Sequence, residues 1–153
     1  MTTKNLPTVY QAKNAEEILL CFEAMQSLRP HLKKDTFVGL INGMISRGYI
    51  LIYVKDENGK VPAFSGYRFT EHLAWGKAIY IDDLGTVPEG RGKGYASALL
   101  NYIFNIAKEN ACDQVHLDSG CVPQRYDAHR LYLKSGFNIT SHHFAYVVPG
   151  TSL

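Results

Sequence analysis

Thr86-Val87-Pro88-Glu89-Gly90-Arg91-Gly92-Lys93-Gly94-Tyr95-Ala96-Ser97-Ala98-Leu99-Leu100 is the stretch on which the fold turns. It leaves a β-rich segment, passes glycines at 90, 92 and 94, and enters the longest helical pattern in the chain. Tyr95, Leu99, Ile103 and Ile106, with Ala96, Leu100 and Ala107, recur at the spacing of one buried helix face. A strand that turns through glycines into a helix leaves backbone N–H groups at the positive end of the helix dipole. Such an end can hold phosphate with few side chains. Taken alone, the same residues also fit a plain glycine turn capping a helix.

Upstream, Thr8 to Ala12 reads as a short strand, and Asn14 with Glu17 forms a capping pair for a helix. Its apolar face is Ile18, Phe22, Met25 and Leu28, and Pro30 stops it. Asp35 is placed to cap a second helix with Phe37, Leu40, Ile41, Met44 and Ile45 on one face and Gly48 at its end. Tyr49 to Val54 is a strand, and Glu57-Asn58-Gly59 turns it into another around Val61 to Phe69. Lys77 to Val87 is the strand that feeds the glycine turn, halted by Pro88. Downstream, Gln114 to Leu117 is a strand made parallel by the helix before it. Ala128, Leu131 and Tyr132 mark a last helix closed at Gly136, and Phe137 to Val148 reads as a final β-ribbon. The order β-α-α-β-β-β-α-β-α-β, with room for one more strand, is a mixed α/β sheet with helices on both faces.

Composition narrows the function classes. At 153 residues the chain suits one domain, 1–153. Sixteen Lys+Arg against 14 Asp+Glu leave +2, without the clustered basic excess that duplex nucleic acid asks for. The longest apolar stretch, Tyr49 to Val54, is far short of a membrane span, and no basic-then-apolar signal opens the chain. Three cysteines with no CxxC spacing argue against a disulfide framework or a zinc site, so a cytoplasmic protein is expected. His142-His143 has no metal-ligand spacing, and no metal is expected. The glycine turn fails the Walker pattern, since Gly85…Gly90 is followed by Arg91 and Gly92. It also fails the dinucleotide fingerprint, because Tyr95 and Ser97 stand where a glycine is needed.

Arg91-Gly92-Lys93-Gly94-Tyr95-Ala96 matches (Gln/Arg)-x-x-Gly-x-(Gly/Ala), the acetyl-CoA loop of the GNAT superfamily of N-acetyltransferases. About forty residues on, His129-Arg130-Leu131-Tyr132-Leu133-Lys134-Ser135-Gly136-Phe137 is similar to the family's Leu-Tyr-x-x-x-Gly-Phe helix end. With the element order, the chain resembles that superfamily over most of its length. The segment from Leu117-Asp118-Ser119-Gly120 to His129-Arg130 resembles a bacterial branch of it.

The resemblance implies a GNAT fold with a mostly antiparallel sheet, and acetyl-CoA as acyl donor. Leu84, Gly85 and Thr86 would meet the pantetheine arm through their backbone, and a backbone N–H near Leu84 would hold the oxyanion. Arg91, Gly92, Lys93, Gly94, Tyr95, Ala96 and Ser97 would hold the pyrophosphate. Tyr132 takes the place of the tyrosine that protonates the departing thiolate, which a phenol can do because its ordinary pKa exceeds a thiol's. The base or amine anchor is sought at Asp82 and Asp83 on the strand. Alternation sends the two to opposite faces, and Asp82 ranks first for sharing a face with Tyr80 and Leu84.

Arg125 stands where many members carry an Asn seven residues before the tyrosine, so Asp118, Ser119, Arg125 and His129 either line the site or shape the loop. Cys121 as an acyl-carrying nucleophile gives way to direct transfer in a ternary complex. The resemblance implies an amine acceptor, on a small molecule or a protein; no nucleic acid or membrane is expected as partner, and a homodimer stays open. The rivals are a non-catalytic acyl-CoA sensor on the same fold, which needs no Tyr132, and a nucleotide-phosphate enzyme.

Overall fold

The computed structural model describes residues 5–152. They form two compact units that divide between Leu117 and Asp118.

The first unit is a five-stranded sheet in the order β1-β2-β3-β4-β5, with β1 (Val9–Gln11), β2 (Ile50–Val54), β3 (Ala63–His72), β4 (Gly76–Thr86) and β5 (Gln114–Leu117). Neighbours pair antiparallel except β4 and β5, which are parallel. The parallel pair requires a crossover, and α4 (Tyr95–Glu109) supplies it. Three helices precede β2: α1 (Ala15–Leu20), α2 (Phe22–Leu28) and α3 (Lys34–Ser46).

Two cores follow from the alternation of β2. Tyr49, Leu51 and Tyr53 join Phe64 and the helical residues Ile18, Phe22, Met25, Phe37 and Ile41 in one buried cluster. Ile52 and Val54 point the other way. That face is covered by α4, whose Leu99, Leu100 and Ile103 are buried and which packs against all five strands. The sheet thus has helices on both faces, as the patterning requires.

Three sequence expectations change. The first helix is two, because Cys21 closes α1 through a tight bond from its amide to the Ile18 carbonyl (3.0 Å) and starts α2. Its Asn14 cap is as read, with Oδ1 accepting from the Glu17 amide at 2.9 Å. Asp35 lies inside the first turn of α3, whose cap position is Lys33. The expected β-ribbon at 137–148 is not a strand. Strand-forming residues need a ladder partner, and among the described residues this segment has none.

The second unit carries a 3-10 turn at Pro123–Arg125 and α5 (Tyr126–Lys134). Gly136 follows in the left-handed conformation at φ 105°, the usual way to end a helix. Among the described residues no helix is long and apolar enough to cross a membrane.

Candidate functional site

β4 ends at Thr86, and the Val87 amide is fixed on the Pro62 carbonyl at 2.8 Å. A 3-10 turn, Pro88–Gly90, then lifts the chain off the sheet. Gly92 and Gly94 adopt φ 75° and 82°, the left-handed region that side chains disfavour. Gly94 is the cap residue of α4; no side chain caps the helix and no acid stands in its first turn. The first amides of a helix have no partner within it. Arg91, Gly92, Lys93 and Gly94 are exposed, so two cationic side chains flank this helix start. The donor set suits an anion.

The strand feeding the loop is open on one side. β5 pairs with β4 only from Ala78↔Gln114 to Ile81↔Leu117. Leu84, Gly85 and Thr86 are paired by β3 alone, through Ser65, Phe64 and Ala63. A backbone left with one ladder partner can take a second from a ligand.

Asp82 and Asp83 lie where the β3–β4 register breaks. Gly66 pairs with Asp83 while Tyr67 pairs with Ile81, so Asp82 is an inserted residue, a β-bulge. The bulge reverses the expectation from alternation. Ile79, Ile81 and Leu84 are all buried, a sequence that skips one position at 82–83. Both carboxylates therefore fall on one face, in a single network, and Asp82 does not share a face with Leu84. Arg68 donates to both oxygens of Asp82, from Nε at 3.0 and 3.1 Å and from Nη2 at 2.6 Å. Arg29 donates to Asp83 Oδ1 from Nε (3.0 Å) and Nη2 (2.9 Å). The Tyr49 hydroxyl donates to Asp83 Oδ2 at 3.0 Å, and the Arg68 guanidinium lies 5.7 Å from the Tyr49 ring centroid.

Gly66 makes this possible, since a Cβ there would sit inside the Tyr49 phenol. Burial, then the nearby Asp83 charge, pushes the Tyr49 phenol well above its ordinary range. Hydrogen bonding to Asp82 pushes Arg68 up likewise.

In the second unit Tyr132 is buried on α5, its ring edge-on to Phe137 at 5.9 Å. Arg125 Nη2 donates to the Tyr132 oxygen at 3.4 Å, and Arg125 Nε donates to Ser119 Oγ at 3.2 Å. His129 Nε2 completes the group, 2.9 Å from Ser119 Oγ. Burial raises the Tyr132 pKa and the Arg125 cation works against that rise. Ser119, Arg125 and His129 therefore share one hydrogen-bonded group with the phenol.

Residues 15–137 match the model of the acetyltransferase (GNAT) family. The chain belongs to the GNAT family. It is 31% identical over 135 residues to YhdJ of Bacillus subtilis (strain 168), named an uncharacterized N-acetyltransferase, covering 88% of this chain and 94% of that one. Among solved structures it is similar to glucosamine-6-phosphate N-acetyltransferase from Arabidopsis thaliana (18% identity, TM-score 0.73, 92% and 97% covered). It is equally similar to ribosomal-protein-alanine N-acetyltransferase from Brucella melitensis (17%, 0.72, 92% and 98%). At such identities the structural likeness shows the fold, and the names of those two proteins state very different acceptors.

In this GNAT chain the strand residues and the glycine turn are contiguous in the first unit, and the tyrosine belongs to the second. Sequence reasoning passed over Arg29, Tyr49, Gly66 and Arg68, which the fold gathers around the two carboxylates. The sequence reading assigns no role to Arg29 and places Tyr49 only in an apolar strand. A lone arginine in the strand beside an acidic pair was the available signal.

Proposed function

We propose that this protein is an acetyl-CoA-dependent N-acetyltransferase of a primary amine, its two units working as one domain over residues 1–153. One observation carries the reading. A GNAT chain keeps, directly after the open half of β4, a helix start with two left-handed glycines, no side-chain cap and no acid in its first turn.

Acetyl-CoA supplies an activated acyl group as its thioester. In this reading the amides of Gly92 to Ser97 bind the pyrophosphate, helped by the charges of Arg91 and Lys93. The backbone of Leu84, Gly85 and Thr86 aligns the pantetheine arm, and an N–H near Leu84 holds the oxyanion as a preorganised donor. Tyr132 gives its proton to the departing sulfur. Because Arg125 donates to the phenol oxygen, the hydroxyl hydrogen is left for another acceptor and the phenolate formed is stabilised.

Asp82 or Asp83 takes the amine proton or anchors the amine. Each carboxylate accepts three bonds and keeps one acceptor site, so an arginine that moves aside widens the access of an amine. Arg29 is the readier one, with its side chain 47% exposed against 32% for Arg68, which favours Asp83. We assign the protein to the cytoplasm, in keeping with three free thiols.

The test is thermal denaturation with acetyl-CoA, ATP and NAD in parallel, followed by an amine screen read as released thiol. A ligand bound only by the folded state raises the melting temperature by mass action. Acetyl-CoA alone should do so. A shift with ATP or NAD and none with acetyl-CoA would sink the proposal, and a shift without thiol release from any amine would favour the sensor.

A further inference from the structure

The two carboxylates of the bulge are held in different ways. Asp82 is gripped by Arg68 from the neighbouring strand. Asp83 is held from two sides. The Tyr49 hydroxyl fixes Oδ2 from a ring that is 1% exposed, and Arg29 forks onto Oδ1 from the end of α2. An ion pair with one partner half in water adds little to stability. Yet a bulge, a buried phenol and the glycine that admits it all serve to orient this one carboxylate. A group so preorganised, with a mobile cation as its last partner, is built to bind something.

Its place suits the acceptor. Arg29 is the cap residue of α2, its amide bonded to the Met25 carbonyl at 2.8 Å. The end of that helix lies on β4, since a Cβ at Gly85 would stand 3.3 Å from the Leu28 Cβ. The Arg29–Asp83 pair therefore borders the open half of the strand, Leu84 to Thr86.

Charge then selects the class of amine. Two arginines balance two aspartates, so the cluster offers a cation no excess of negative charge. A plain amine or a polyamine binding Asp83 would be opposed by the guanidinium 2.9 Å from that carboxylate. An amine that carries its own anion removes the opposition. Its ammonium takes the remaining acceptor site of Asp83, and its anion takes the guanidinium. Arg29 binds Asp83 and the Asp82 carbonyl through Nε and Nη2, and its Nη1 has no protein partner among the described residues. A planar carboxylate matches a guanidinium edge in shape as well as charge.

We propose that the Arg29–Asp83 pair is an acceptor subsite for a free amino acid, Asp83 receiving the ammonium and Arg29 the carboxylate. The inference rests on the transferase reading and narrows its acceptor.

The test pairs each amino acid of a panel (the α-amino acids, β-alanine and γ-aminobutyrate) with its amide and its decarboxylated amine. Binding to the full chain is measured by titration calorimetry, and transfer by thiol release from acetyl-CoA. At least one amino acid should bind about tenfold or more tightly than its amide and amine, the worth of a charge-assisted bond to its carboxylate. Arg29→Gln should erase that preference while melting near the wild type. Arg29→Lys, which keeps the charge and loses the fork, should retain part of it and serves if the first variant fails to fold. Three results overturn the proposal: no amino acid of the panel binds, amides and amines bind as well as acids, or the preference survives in Arg29→Gln. Acids that bind through Arg29 without releasing thiol would uphold the subsite and overturn the transferase reading. Thiol release from plain amines with no preference for acids would do the reverse.

Discussion

Replacing Tyr132 by Phe removes one oxygen and keeps the ring that packs edge-on to Phe137. If the phenol is the acid, kcat should fall about 10²–10⁴-fold while the acetyl-CoA melting shift is unchanged. A packing role predicts the opposite: a lower melting temperature with turnover per folded molecule near wild type. Asp83→Asn and Asp82→Asn should likewise leave the acetyl-CoA shift intact. We expect the larger loss of activity at Asp83, because its guanidinium partner is the more exposed. Wild-type turnover in both variants would remove the strand from the catalytic account and direct attention to a water relay or Asp118.

At the scale of elements, the glycine turn and the bulge make separate predictions. Gly94→Asp puts a side chain and a negative charge at the start of α4, where an anion is expected, so the acetyl-CoA shift should vanish. Asp is a favoured cap residue and tolerates the left-handed region, so the fold itself should survive. Gly94→Asn offers the same cap without the charge and should retain part of the shift; equal loss in both variants would point to space rather than charge. Gly66→Ala should expel the Tyr49 ring and break its bond to Asp83. A hydrogen bond to a charged group is worth about 1.5–3 kcal/mol, and chemical denaturation should show a loss of at least that order.

The glycine turn was readable because its signals are local: a strand, left-handed glycines and a helix follow one another within fifteen residues. The bulge was not, because register belongs to two strands together, and nothing in Ile81-Asp82-Asp83-Leu84 says that Gly66 skips a partner. The carboxylates' arginines were out of reach for the same reason, Arg29 being 54 positions from Asp83. The tail's residues spoke correctly for strand propensity, but propensity does not supply an edge.

Over the whole molecule, alkaline pH should be the vulnerable direction. Burial pushes Tyr53, Tyr67 and the Cys21 thiol up to about 12, and Tyr49 is raised well above 10. For a group whose folded pKa is raised, the stabilisation is complete below the unfolded value and is lost as pH climbs to the folded one. The melting temperature should therefore hold up to about pH 9, then fall steadily toward pH 12. Ultraviolet titration should find Tyr49, Tyr53 and Tyr67 un-ionised at pH 10 until the protein unfolds. Normal titration of every tyrosine in a folded sample would contradict the packing around β2 and β3.

The β-bulge has one more consequence, for the length of the chain. Remove Asp82 alone and Ile81 meets Asp83 across an unbroken ladder, with every other side chain of β4 still on its present face. Remove Ile81 or Leu84 instead and closing the bulge puts an aspartate in the buried place of the lost residue. A single-codon deletion scan through β4 should thus tolerate the loss of one aspartate, codons 82 and 83 giving the same shortened protein, and reject gaps at 81 and 84. The shortened chain should keep its fold while Arg68 loses its carboxylate partner, so a loss of turnover in it is assigned to the site and not to the strand.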